Sequence, residues 1–337
     1  MSLSSAAEEC FHCEFCTGAS KPIYNVRLGK RESRLFKCPS CETAQVNPVF
    51  SEKSIKEFYE NSYFSREPWQ VRKAKLLARD YMRLVESDVP RGDGVKALEI
   101  GASYGYFANL FGRKLGSDVD IIEPSRDCIE FVKDNWSNVR WLGADLSAAG
   151  DSPKYDAIFL FHVAEHLQRL GPFLRQASRL LKAKGRIFIL TPNGSSASFK
   201  LYAENWIWAG PSEHYQFLSS KMPEVWFEQH ALRLVQSKDR VPHWIHFPSR
   251  CLSQIYKFVA FWVEKPAGKN KVGRWLLNQI RRVGLLLFAG NRFAYGLLPL
   301  EAFIAGFKKG PQDELYLVLE KDCADEAESG SHHHSKP

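Results

Sequence analysis

Long apolar runs are the first thing this 337-residue sequence lacks. Nowhere do about 18 apolar residues follow one another without interruption, which excludes a plain membrane-spanning helix. The N-terminus, "MSLSSAAEEC", lacks the basic start and apolar stretch of a secretion signal, so the chain is expected inside the cell, in the cytoplasm. Cysteine is scarce over most of the length. Of eight cysteines, five fall between Cys10 and Cys41 and only Cys128, Cys251 and Cys323 lie elsewhere, a distribution that speaks against a disulfide framework and for one local metal site.

What is present suffices for one large core and a satellite module, since 45% of residues are hydrophobic and 13% aromatic. The net charge of +8 and pI near 9.0 admit an anionic partner: a nucleotide, a phosphorylated sugar, an anionic lipid surface or a nucleic acid. Charge alone does not choose among them.

The strongest local signal is a pair of CxxC knuckles, Cys13-x2-Cys16 and Cys38-x2-Cys41, separated by 21 residues. Two such knuckles set four thiolates at the corners of a tetrahedron about 2.3 Å from a zinc ion, the pattern of a structural ribbon. Cys10 forms a further CxxC with Cys13, so Cys10 is an alternative to Cys16 in the first knuckle. Four thiolates leave no open position for a substrate, which assigns this Zn2+ to architecture.

A helix is expected from about Trp69 to Glu86, and from Val95 onward apolar strands alternate with amphipathic helices: "VKALEIG", "DVDIIEP", "VRWLGADL", "YDAIFLFHV" and "GRIFILTPN", with "PFLRQASRLLKAKG" among the helices. This alternation implies an α/β, doubly wound, Rossmann-like parallel sheet with its ligand at the carboxyl ends of the strands. Three carboxylates stand at three successive strand ends: Glu99, Glu123 and Asp145. The turn Gly101-Ala102-Ser103-Tyr104-Gly105 lets a ligand approach the backbone, Glu123 suits the two hydroxyls of a ribose, and Asp145 suits an adenine amino group. No GxGxxG is present to seat a pyrophosphate, and a carboxylate inside the first strand favours a cationic ligand such as the ammonium and sulfonium of S-adenosylmethionine.

On these residues the segment resembles the class I S-adenosylmethionine-dependent methyltransferases. "LEIGASYGYF" stands where that family has E/DxGxGxG, with Ser103 at the middle glycine. The resemblance covers roughly residues 70 to 240, resumes at "ELYLVLEKD", and implies a seven-stranded sheet. It also implies that Glu99 and Gly101 lie near the methionine moiety, with Ala102, Ser103 and Gly105 among the cofactor-binding residues of the turn. Glu123 would take the ribose, Asp145 and Leu146 would frame the adenine, and His162 would stand at the mouth. The paired knuckles followed by "NP" and "FYENSYF" resemble a subgroup with a zinc ribbon ahead of the core, whose members act on sugars of nucleotides, natural products and polysaccharides. A nucleotide-linked or polysaccharide sugar is therefore the first expected acceptor. The alternatives are a quinone- or lipid-like acceptor at a membrane surface, or a nucleic acid. The nucleic-acid reading is disfavoured because "FHVAEH" stands where enzymes that methylate base amino groups carry [ND]PP[YF].

Methyl transfer is an in-line displacement, so alignment and a base for the departing proton are what the protein must supply. Two stretches offer one. "FHVAEHL" brings His162, Glu165 and His166, the last two able either to line the pocket or to cap the next helix. "WIWAGPSEHYQFLS" brings Trp206, Trp208, Glu213, His214 and Tyr215, and its rings suit a sugar platform. His214 is the first choice as general base, assisted by Glu213 or Tyr215, with a helix cap as its alternative role.

The expected layout is a ribbon at 1–50, a helical linker or lid at 51–94, the cofactor core at 95–240, a helical insert at 241–312, the last strand at 313–323 and a disordered tail at 324–337. Within the insert, a basic amphipathic helix over 271–288 suits peripheral contact with the inner membrane face, a lid or a dimer contact.

Overall fold

The computed structural model describes residues 11–28, 31–51, 68–90, 92, 94–152, 154–202, 206, 208, 214–240 and 312–322. Cys10, the "FYENSYF" stretch, Glu213, the 271–288 helix and the tail lie outside the described residues. Among the described residues no helix is long and apolar enough to cross a membrane.

The N-terminal strands β1 (Phe11–His12), β2 (Ala19–Leu28), β3 (Arg31–Lys37) and β4 (Ala44–Asn47) form an antiparallel ribbon. Helix α1 (Pro68–Val85) follows. The core then alternates β5 (Ala97–Ile100), α2 (Tyr106–Leu115), β6 (Val119–Ile122), α3 (Arg126–Asn135), β7 (Val139–Gly143), β8 (Tyr155–Phe161), α4 (Leu170–Leu180) and β9 (Leu181–Pro192). After α5 (Ala197–Tyr202), β10 (Gln216–Phe217) and α6 (Glu224–Glu228), the chain closes with β11 (Leu232–Arg240) and β12 (Glu314–Lys321). The seven-stranded sheet runs in the order β11-β12-β9-β8-β5-β6-β7. Strands β9, β8, β5, β6 and β7 are parallel, while β12 pairs antiparallel with both β9 and β11. The expected doubly wound methyltransferase sheet is this one.

The two-residue period of the strands decides what each face carries. Leu98, Ile158, Leu160, Ile187, Ile189, Leu315 and Leu317 point to one side, where they pack with α4 through Leu170, Leu174 and Ala177. Ala97, Ala157, Phe159, Phe188, Tyr316 and Val318 point to the other, under α1, α2 and α3. That second face is aromatic: Phe107 sits edge-on to Phe159 at 4.9 Å and to Phe161 at 4.8 Å, and Tyr81 of α1 stacks on Phe161 at 4.4 Å. This stack seats α1 beside the end of β8.

The ribbon is built into the larger fold. Cys13, Phe15, Cys38 and Cys41 belong to the same buried cluster as Trp226, Met222 and the α4 leucines, with Phe15 and Trp226 edge-to-face at 4.8 Å. Strand β10 extends the ribbon sheet beyond β4, with Gln216 opposite Gln45 and Phe217 opposite Ala44. Leu35, Val46 and Phe50 of the ribbon then share a third buried cluster with Phe199, Trp206, Tyr215 and Phe217. Trp206, Tyr215 and Phe217, from the segment read from sequence as an acceptor loop, thus lie in the seam between ribbon and core.

Candidate functional site

The four knuckle thiols converge. Sulfur separations are 3.5 Å for Cys13–Cys41 and 3.4 Å for Cys16–Cys38, and all four atoms lie within 4.8 Å of one another. A tetrahedron of Zn–S bonds of about 2.3 Å has edges of about 3.8 Å, so the donor set fits a tetrahedral thiolate metal. The two knuckles fold alike. Thr17 N–H donates to the Cys13 carbonyl and Glu42 N–H to the Cys38 carbonyl, each at 2.9 Å, and both residues take positive φ, 59° and 58°.

At the carboxyl end of β5 lies a cavity of about 310 Å³, at the lower end of the range for small-ligand sites. Its floor is Glu99, Gly101, Ala102 and Ser103; Tyr104, Tyr106 and Phe107 of the following turn and helix form one side, and Phe161 and His162 another. Gly101 has φ 69°, and a Cβ there would stand 2.6 Å from Val163 Cγ2. Gly105 has φ 66°, and a Cβ would meet Val132 Cγ2 at 2.9 Å. A side chain at either position would strain the turn and crowd its neighbours.

Glu99 is 5% exposed and accepts from the Ala108 N–H at 3.0 Å. Burial pushes its carboxyl up to about 8, against the Ala108 bond and with help from nearby Glu123. Glu123 is 2% exposed and stands behind the turn, outside the cavity lining. Its oxygens accept from Ser103 N–H at 2.7 Å and Ser125 N–H at 2.8 Å, so it pins the glycine turn to β6, and burial raises it to about 7. Asp145 is exposed at the end of β7, where its carboxylate accepts from Ser147 N–H at 2.9 Å and from the Ser147 hydroxyl. Leu146 is buried in the core.

Helix α1 supplies the remaining wall: Gln70, Lys73, Ala74, Leu77, Ala78 and Tyr81. The sequence reading took this helix only as a linker or lid and missed these residues. Their spacing carried the signal, because positions 70, 73, 74, 77, 78 and 81 form one helix face that mixes polar and apolar groups.

On the acceptor side, His162 closes β8 with φ 55°, an uncommon conformation that clusters at functional sites. Its Nδ1 donates to Glu165 Oε1 at 3.1 Å, and its Nε2 lies 3.5 Å from Glu314 Oε1. Burial opposes its charge, but the two carboxylates outweigh that and hold the imidazolium up to about 9. His162 is therefore a cation near neutral pH, which corrects its reading as a base. Trp208 stacks on its ring at 5.0 Å and 14°.

Glu165, fully buried, also accepts from the Thr191 hydroxyl at 2.9 Å. Burial works against its charge, yet His162, His166 and His214 bring its carboxyl down to about 2. It turns inward, and α4 begins only at Leu170 after Arg169, so the helix-cap alternative for Glu165 is corrected. The His166 ring stands 4.8 Å from that of His214.

His214 is 7% exposed and donates from Nδ1 to the Trp208 carbonyl at 2.6 Å. Burial first, then His166, lower its pKa to about 4. The imidazole is thus neutral, with its lone pair on Nε2. It caps no helix, since α6 starts after Pro223. Tyr215 and Trp206 are corrected in turn: both rings are buried in the ribbon seam, where packing against Phe50 or Phe199 and Phe217 replaces an acceptor role.

A family profile described as a methyltransferase domain matches residues 69–237. A ubiquinone biosynthesis O-methyltransferase from Pelagibacter ubique is 29% identical over 136 residues, covering 39% of this chain and 56% of that protein. A Mycobacterium tuberculosis protein named "Probable S-adenosylmethionine-dependent methyltransferase" is 26% identical over 166 residues, covering 48% of this chain and 56% of its own length. The chain therefore spans just over half the length of these curated relatives. Among solved structures, phosphoethanolamine N-methyltransferase 2 of Haemonchus contortus, in complex with S-adenosyl-L-methionine, shares the fold with a TM-score of 0.50 and 12% identity, over 89% of this chain and 71% of that one.

Proposed function

This chain belongs to the family of S-adenosylmethionine-dependent methyltransferase domains, and we propose that it methylates a hydroxyl group on a planar, quinol-like small molecule. When bound, the cofactor supplies an electrophilic methyl on a cationic sulfonium. The cavity at the end of β5 is where this chain's residues receive it. Glu99, once ionised, takes the ammonium, Lys73 from α1 takes the carboxylate, and the glycine turn admits the ligand to the backbone. Glu123 positions that turn through Ser103 and presents its remaining lone pairs to the ribose. Asp145 and Leu146 border the adenine end.

The observation that carries the acceptor reading is the stacking of Trp208 on His162, a residue of the cavity wall. It offers a flat aromatic surface beside a fixed cation, a surface that suits a phenolate ring. The names of the curated relatives point the same way, toward the quinone-like alternative and away from the sugar that the ribbon first suggested. The acceptor proton leaves at the Glu165–His166–His214 cluster, where His214 Nε2 carries a lone pair. The ribbon carries one structural zinc on Cys13, Cys16, Cys38 and Cys41 and holds the 214–217 segment in place through β4.

The test is a turnover panel with S-adenosylmethionine. A substituted catechol or hydroquinone bearing an apolar tail is compared with nucleotide-linked sugars, following S-adenosylhomocysteine and the mass of the methylated product. A methyl ether on the phenol is expected. Methylation confined to the sugars would return the acceptor assignment to a sugar.

A further inference from the structure

We propose that the four-thiolate centre of the ribbon has one closed edge and one open edge, and that Cys16, on the open edge, is a modification site for soft carbon electrophiles such as unsaturated carbonyl compounds. The site rests on the reading above, one zinc held by the four knuckle thiolates. The four sulfurs lie within 4.8 Å of one another, but their surroundings differ from one edge of the tetrahedron to the other. The thiolate is the nucleophilic form of cysteine, and zinc keeps all four ligands in that form. Exposure and hydrogen bonding then decide which sulfur reacts.

The closed edge joins Cys13 and Cys41. Both are buried, and Thr43 Oγ1 stands 3.0 Å from Cys41 Sγ and 3.3 Å from Cys13 Sγ. Thr43 is itself 1% exposed, so water does not compete for its hydroxyl. A metal-bound thiolate can only accept, and a hydroxyl has one proton to give, so the Thr43 O–H donates to the nearer sulfur, that of Cys41. The backbone fixes this hydroxyl, because the Thr43 carbonyl accepts from Cys38 N–H at 2.9 Å within the second knuckle. Such a charge-assisted bond occupies a sulfur lone pair and makes that thiolate a poorer nucleophile.

The open edge joins Cys16 and Cys38, whose sulfurs are 3.4 Å apart. Among the described residues no hydroxyl is bonded to either of them. Cys38 is buried, whereas Cys16 is the one half-buried thiol of the four. Gly18 stands over this edge: a Cβ there would lie 3.3 Å from both sulfurs. Glycine supplies no side chain at that point, so the Cys16 sulfur is left unshielded there.

In the modification step the Cys16 sulfur attacks the alkene carbon of the electrophile. The new S–C bond forms as the alkene π pair moves toward the carbonyl, and water protonates the resulting enolate. No oxidant is consumed. The sulfur becomes a neutral thioether, which leaves three thiolates and a weakened hold on the ion. Loss of the ion frees the knuckles and with them β4, which pairs with β10 through Gln45–Gln216 and Ala44–Phe217. Modification at Cys16 therefore loosens the 214–217 segment, while the cavity at the end of β5 is lined by other elements.

The experiment uses the full chain, its zinc counted by atomic absorption, and N-ethylmaleimide as probe. Zinc release is followed with a chromogenic chelator, and adducts are mapped by peptide mass spectrometry. Among the four knuckle cysteines Cys16 is expected to be labelled first, in step with zinc release. Thr43→Val, which removes the hydroxyl at nearly constant shape, should hold zinc about tenfold more weakly and label Cys41 about tenfold faster, whereas Thr43→Ser should match wild type. Amide exchange over 214–217 should rise in the Cys16 adduct. Equal labelling of the four, or first labelling at Cys13, Cys38 or Cys41, in zinc-loaded wild type overturns the site. A Thr43→Val protein with the wild-type labelling pattern overturns the role of the hydroxyl, and unchanged exchange in the adduct overturns the coupling to β10. A chain that holds no zinc overturns the ribbon-metal reading, and the Cys16 assignment falls with it.

Discussion

Cofactor binding should release protons. In the cofactor-free protein burial holds Glu99 up to about 8, so at pH 7 only about a tenth of it is ionised. The reading above needs it ionised opposite an ammonium. Binding at pH 7 should then be about tenfold weaker than at its high-pH limit, a difference of about 1.4 kcal/mol, with about 0.9 proton released from Glu99. Glu123, raised to about 7, adds about half a proton if ribose hydroxyls favour its ionised form. The linkage has a definite sign. Both carboxyls have folded pKa values above their unfolded value of 4.5, so their contribution to apo stability is complete below about 4.5 and is lost as pH rises through about 7 to 8. Ligand stabilisation should grow across the same window. Titration calorimetry at pH 7, in buffers of contrasting ionisation enthalpy, counts the protons, and affinities from pH 6 to 9 give the slope. The cofactor's own amino group also titrates near this range, so Glu99→Gln is the control: it should bind more weakly at pH 9 and show a flatter profile. Equal proton release by wild type and Glu99→Gln would refute the assignment of Glu99 as the ammonium partner.

Three further outcomes follow from the geometry. Stripping the ribbon metal, or Cys38→Ser, should abolish acceptor turnover while leaving S-adenosylmethionine affinity within about twofold, because β4 holds β10 while the cofactor cavity is lined by α1 and the core strand ends; calorimetry and turnover on one sample decide it. Lys73→Met should weaken cofactor binding by about 10-fold, as expected for one charge-assisted bond of roughly 1.5 kcal/mol, without changing the melting temperature by more than about 2 °C. Gly105→Ala should cost about 1 to 3 kcal/mol in denaturant unfolding, since its φ is 66° and a Cβ would stand 2.9 Å from Val132 Cγ2.

Features with a local period or spacing were legible in the linear sequence. The parallel strands announced themselves because buried strands are near-continuous apolar runs. Glu99 and the glycine turn were legible because a carboxylate and small residues at a strand end have few structural uses. The paired knuckles were legible because four thiolates need that spacing to close on one ion. What had no local signal was decided by contacts between distant segments. Val46 N–H meets the Tyr215 carbonyl at 2.8 Å across about half of the chain, and that pairing turned Trp206 and Tyr215 from acceptor residues into a packed seam. The stack of Tyr81 on Phe161 made α1 a cavity wall. Two buried carboxylates converted His162 from a base into a cation, and a backbone carbonyl set the tautomer of His214. A side chain's residue type gives its chemistry, but its charge and lone pair depend on neighbours that only the folded chain brings within 3 to 4 Å.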